Sequence, residues 1–413
     1  MTIKQFVLKT MALAWFALVA TFVNAQSLEK YYEKLSEVNA QYRTYYDSGQ
    51  YNLAIQPLTD LIHYLDSITA FNGPEYDESR EKIEQSLAYF KANTYYNLAC
   101  SYSLSHRKKE AMAALENAIA LGYKDYANMK NDSDFDFIRN EKRFKVLLKQ
   151  IEQYDNLFVL KNAAPYLHEN TDTLPHFEYQ SADDHCLKLV REYFSLDEVA
   201  GDGDEISKIL NILHFVHDSI RHDGGNYALC EFDAIDIYNY HKSTGKGVNC
   251  RHLAIALNEM YLSMGFRSRY VTCMPKDPND QDCHVINVAW SSQLEKWIWV
   301  DPTFNAYVTD EHGNLLGIAE VRERLIDGRP LVLNEDANWN HESKQTKEHY
   351  LENYMAKNLY YIECVTESRF NAESRYRDTG SIYVKLVPSD EEETSNERMI
   401  FTHDADYFWQ APK

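Results

Sequence analysis

The chain has 413 residues, seven cysteines and a formal charge of −21, and is long enough for two or three domains with proper cores. So acidic a chain is a poor partner for nucleic acid or an anionic membrane surface, because both would repel it. The odd cysteine count excludes a complete disulfide framework and leaves at least one thiol free in an oxidising compartment.

Lys4 and Lys9 precede an apolar run from Thr10 to Val23, and Val23-Asn-Ala25 puts small residues where a signal peptidase cuts. The pattern predicts a secretory signal peptide over residues 1–25 and a secreted or periplasmic protein beginning at Gln26. The run is short for a membrane span and nothing comparable follows, so no span is expected in the mature chain. Cleavage leaves 388 residues, and losing Lys4 and Lys9 takes the charge from −21 to −23.

Residues 26–155 read as all helix. Tyr96, Leu98, Ala99 and Tyr102, followed by Ala111, Leu115 and Ala118, resemble the two-helix tetratricopeptide (TPR) spacing. An earlier set, Tyr45, Gly49, Ala54, Leu58 and Leu61, matches it in part. Ala54 and Ala111 are 57 residues apart, longer than the usual period, so a long helix or insertion is expected around residues 76–91. Residues 132–148 look like a capping helix. TPR-like arrays present a concave face to a peptide or protein, so a protein partner is expected there.

Residues 156–204 are rich in turn formers and read as a linker with one short helix at 185–193. Apolar positions from Ile206 to Ile220 predict a helix, and another is expected over 234–242. Gly245 and Gly247 in the loop that follows let the backbone approach a substrate closely. Asn249 is a good N-cap, and Leu253, Ala256, Leu257, Met260 and Met264 follow at helical spacing until Gly265. Cys250 therefore falls on the first helical turn, where the partial positive charge favours a thiolate.

Val285–Trp290 and Trp297–Val300 are β-rich runs separated by residues 291–296, a hairpin pattern. If Trp290 opposes Glu295 or Lys296, His284 stands level with Asp301 or Pro302, which makes base and acid cross-strand neighbours. A carboxylate there holds the imidazole in one tautomer and stabilises its cation. A helix is expected over 318–326. Strand-like runs at 360–364, 381–387 and 399–402 predict a small C-terminal β extension over residues 346–413.

Gly-x-x-Cys250 opening a helix, Gly265-Phe-Arg-Ser-Arg269-Tyr-Val leading into a strand, His284-Val, and Trp297-x-Trp-x-Asp301 together resemble the transglutaminase-like superfamily. The resemblance runs over about 205–340, a third of the chain. It implies a papain-like α+β core over 205–345, with a helix packed on an antiparallel sheet and a Cys250–His284–Asp301 triad. It also implies acyl transfer from a peptide or side-chain amide through a thioester on Cys250, without cofactor or metal. Cys250, His252, Cys283 and His284 fit no common zinc spacing. Animal transglutaminases use a Trp upstream of the cysteine to help hold the oxyanion, and this chain has none between Trp15 and Trp290. The Cys250 N–H is then one oxyanion donor, with Asn226 or Tyr227 as candidates for the second. Cys273 and Cys283 are candidates for a disulfide beside His284.

Nothing in the sequence marks an amine subsite or a calcium loop, so hydrolysis, as in a protease or deamidase, is expected over cross-linking. The alternative is a non-catalytic envelope scaffold whose working surface is the TPR-like region.

Overall fold

The computed structural model describes residues 25–67, 80–169, 174–392 and 394–413, and the chain divides into two compact units, Met1–Asp155 and Asn156–Lys413. The signal-peptide expectation falls on residues outside those described. Among the described residues no helix is long and apolar enough to cross a membrane.

The first unit is all helix. α1 (Ala25–Asp47), α2 (Tyr51–Asp66), α3 (Arg80–Leu104) and α4 (Lys108–Ala120) each pack on the next, and α5 (Lys142–Ile151) follows. Ala99, Ala111, Ala114 and Ala118 are buried where α3 meets α4, and their small side chains let the two backbones come close. Phe144, Leu147 and Ile151 form the buried stripe of α5 at i, i+3 and i+7.

The second unit is α+β. Its six-stranded sheet is built from β1 (Ser268–Met274), β2 (His284–Ser291), β3 (Lys296–Val300), β4 (Tyr361–Val365), β5 (Tyr383–Leu386) and β6 (Met399–Thr402), in the order β6-β5-β4-β1-β2-β3. Every neighbouring pair is antiparallel except β5 with β6. The central strands are buried along nearly their whole length because both faces are covered. Val285, Ala289, Ile298 and Val300 face one core with α6 (Glu205–Ser219), α7 (Ala234–Thr244) and α8 (Cys250–Ser263). Ile286, Val288, Trp297 and Trp299 face the other, with α9 (Ile318–Asp327) and residues 350–359. Helix α8 is buried from His252 to Ser263. At about 1.5–3 kcal/mol per fully buried large apolar side chain, Leu253, Leu257 and Met260 anchor firmly the helix whose first residue is Cys250.

One expectation about organisation changes. Residues 156–204 are not a linker: Leu160, Val190 and Leu196 are fully buried in the two cores of this unit, and Leu187 is fully buried as well. Leu187 and Val190 form an apolar stripe on the expected helix His185–Tyr193 that must be covered, a need the surrounding turn formers obscured. The C-terminal strands extend the same sheet, with β4 directly beside β1.

Candidate active site

Cys250 is the first residue of α8. Asn249 caps the helix, its side-chain oxygen accepting the His252 N–H at 3.2 Å. The Cys250 N–H precedes the intrahelical ladder and is left for a ligand. Burial opposes ionisation of the thiol, but hydrogen bonds from His222 and His284, the charge of His284 and the Val285 N–H outweigh it. The thiol is brought down to about 6.

His284 opens β2 and Asp301 follows β3. The hairpin pairs Trp290 with Trp297 and Ser291 with Lys296, one or two residues beyond the expected register, and is closed by Glu295 at φ 53°. That register levels His284 with residue 303, and Asp301 becomes the diagonal neighbour two positions away on the same face. An even slip preserves the face, so the contact survives: His284 Nε2 lies 2.7 Å from Asp301 Oδ2. The remaining ring nitrogen, Nδ1, is the one free to serve Cys250. Both residues are buried, at 1% and 0% exposure. Burial works against a cation on His284, yet the charge and hydrogen bond of Asp301, and then Cys250, raise it to about 10. Asp301 is itself fixed, accepting the Thr303 N–H at 2.8 Å and the Tyr350 O–H at 2.6 Å. The rings of Phe304 and Tyr354 flank His284 at 5.5 and 5.2 Å and shield it from water.

The structure thus brings Cys250, His284 and Asp301 together and adds residues that sequence reasoning missed. His222 is the chief one. After α6 the chain bridges to Val248 in parallel: the Asp223 N–H donates to Val248 O at 2.7 Å, and the Val248 N–H donates to Arg221 O at 2.9 Å. That bridge, two residues ahead of Cys250, delivers His222 to the sulfur. Asn340 holds the His222 backbone on both sides, accepting its N–H at 2.8 Å and donating to its carbonyl at 2.9 Å. The Trp339 indole N–H donates to His222 Nδ1 at 2.8 Å. The sequence signal was thin, since Trp339-Asn340 lies over a hundred residues from His222.

Several expectations are corrected by the same contacts. Both amide hydrogens of Asn226 are committed, to Tyr240 Oη and Gly247 O, so it pins the loop and has no donor left for an oxyanion. Tyr227 is 54% exposed and packs edge-on against Phe232 and His252. Gly247 serves the bridge and not a substrate: a Cβ there would come within 2.7 Å of Asp223 Cβ and 2.9 Å of Arg221 O. Gly245 is the left-handed cap of α7, at φ 67°. His252 is buried between the rings of Tyr227 and Phe232, and burial, then Arg251 and Arg375, push it down to about 4, so it is neutral. Cys273 and Cys283 are both free thiols. Cys273 pairs with His284 in the ladder, so Cys283 is one residue out of step with it.

Among the described residues two groups have the geometry to hold a cation, His217–Asp218–His341 and Cys100–Asp132–Asp134, and neither contains Cys250, His284 or Asp301. Both ring nitrogens of His217 already face oxygens, of Pro302 and Asn338.

Residues 194–302 match the model of the transglutaminase-like superfamily. A chloroplastic protein of Arabidopsis thaliana is 33% identical over 97 residues, which cover 22% of this chain and 28% of that protein. The chain therefore spans less than a third of that relative's length. A solved structure from Cytophaga hutchinsonii, provisionally assigned as a cysteine protease, is 16% identical with a TM-score of 0.23, covering 36% of this chain and 47% of its own. Residues 194–302 are a domain of the transglutaminase-like superfamily, and within them a partly buried Cys250 opens a buried helix, with His284 and His222 acting on its thiol.

Proposed function

We propose that the protein is an exported acyl-transfer enzyme that cleaves peptide or side-chain amides through a thioester on Cys250. The observation that carries this reading is the line from the Cys250 thiol through His284 to Asp301, with the His284–Asp301 contact at 2.7 Å. At neutral pH the pair is a thiolate and an imidazolium. The sulfur attacks the carbonyl carbon, an S–C bond forms, and the π pair moves onto oxygen. When that pair returns, the C–N bond breaks and the His284 Nδ1 proton leaves with the amine. Water then attacks the thioester, His284 takes its proton, and Cys250 departs as thiolate.

We infer hydrolysis over cross-linking because nothing in the sequence marks an amine subsite or a calcium loop. The helical unit, read as TPR-like, is proposed to dock a protein partner or substrate. Incubating the purified protein with a peptide mixture, with and without cadaverine, tests the main reading. Ammonia or new N-termini should appear, be absent with Cys250→Ala, and be accompanied by no cadaverine adducts. Adducts without hydrolysis would move the assignment to cross-linking, and no turnover of any kind would remove it. Export is tested by sequencing the mature N-terminus, expected at Gln26.

A further inference from the structure

The thiol has two histidines and the proposed chemistry uses one. A tetrahedral intermediate at Cys250 carries an oxyanion, and the free N–H of Cys250 supplies one hydrogen bond to it. An oxyanion takes a second donor, but both amide hydrogens of Asn226 are committed, and Tyr227 is exposed and packs on Phe232 and His252.

We propose that His222 is that second donor, a neutral imidazole presenting Nε2–H to the oxyanion in a tautomer fixed by Trp339. Indole N–H can only donate, so His222 Nδ1, 2.8 Å away, must hold a lone pair. The ring proton is then on Nε2, the nitrogen left to hydrogen-bond Cys250. His284 has the opposite partner. A carboxylate at its Nε2 accepts a proton there and leaves Nδ1 to exchange one with sulfur and amine. One histidine is therefore wired as acid and base, and the other as a fixed dipole. Asn340, gripping both backbone groups of His222, and the bridge to Val248 leave the ring little freedom. Rigidity of this kind makes a donor useful, since it need not reorganise as charge develops. His222 would be a catalytic residue and Trp339 a positioning residue acting through it.

The assignment rests on the thioester reading, and two reactions of the same thiol separate them. p-Nitrophenyl acetate acylates cysteine through a tetrahedral oxyanion, while iodoacetamide alkylates it by direct displacement with no oxyanion at all. Both need the thiolate, so the ratio of their rates cancels any change in thiolate fraction. His222→Ala should lower that ratio about 10²-fold, the usual effect of removing one oxyanion donor. His222→Gln keeps a side-chain N–H and should recover part of it. Trp339→Phe should lower the ratio several-fold by releasing the tautomer. Parallel losses in both reactions, or an unchanged ratio, would overturn the role of His222. If His222→Ala does not fold, Trp339→Phe carries the same contrast, with a lowered ratio supporting the role and an unchanged one removing it. Ester acylation that persists in Cys250→Ala is a different failure, because it removes the nucleophile itself.

Discussion

The two flanks of Cys250 are built from the same residue type and wired oppositely. On one flank His284 sits within the sheet, its Nε2 against the Asp301 carboxylate, with Phe304 and Tyr354 over its faces. On the other, His222 sits in a loop, its Nδ1 against an indole N–H. The first environment makes a cation stable and a proton transferable. The second forbids a proton on one nitrogen and so commits it to the other. A histidine's role is set by what faces the nitrogen away from the substrate.

The largest effects should come from the carboxylate flank. Cys250→Ala and His284→Ala should each lower turnover at least about 10³-fold, and the double variant should lose little more than either alone. A near-additive loss in the double variant would break the pairing. With the intact pair, activity should rise as the thiol ionises near pH 6 and fall as His284 loses its proton near pH 10. Asp301→Asn should cost roughly 10²- to 10⁴-fold and narrow that bell from its alkaline side. The charge of Asp301 is what raises His284, so its loss brings the limb down towards an ordinary histidine at roughly 6.5. A pH profile that keeps its alkaline limb would detach Asp301 from His284. Tyr350→Phe should cost only a few-fold. It removes one donor from the carboxylate, concentrates charge towards His284 and moves the alkaline limb slightly upward. A downward shift would contradict the direction of that hydrogen bond.

The flanks also differ in how far sequence could reach them. Cys250, His284 and Asp301 each lie inside a local pattern: a capped apolar helix, the start of a β run, and the end of another. Alternation put His284 and Asp301 on one face because the register that levels them is two residues from the observed one, and a slip of two returns a side chain to its face. The alternative that levelled His284 with Pro302 is one residue off and would have reversed it. His222 has no such pattern. Its meaning comes from Trp339 and Asn340, brought up by a short hairpin pairing Asn338–Trp339 with Ser343–Lys344. Tyr350 reaches Asp301 from a helical turn 49 residues on. Contacts made only by tertiary folding leave no trace in spacing. The same reason hid residues 156–204, whose turn formers are conspicuous and whose buried Leu160 and Leu187 are not.

The smallest predicted effect separates two glycines that read alike. At Gly245 the backbone is left-handed at φ 67° and a Cβ would meet nothing within 4 Å. Gly245→Ala should therefore cost about 1 kcal/mol from backbone strain alone and leave the chemistry at Cys250 unchanged. At Gly247 a Cβ would press on backbone, 2.9 Å from Arg221 O and 2.9 Å from Asp223 N, the two groups that bridge to Val248. Neither can yield without opening the bridge that carries His222. Gly247→Ala should lower stability by about 1–3 kcal/mol, read as a fall in Tm. It should also lower the ester-to-alkylation rate ratio several-fold while the pH limbs set by His284 stay in place. Should the limbs move instead, the bridge would be holding up the carboxylate flank, and the two sides of Cys250 would not be independent.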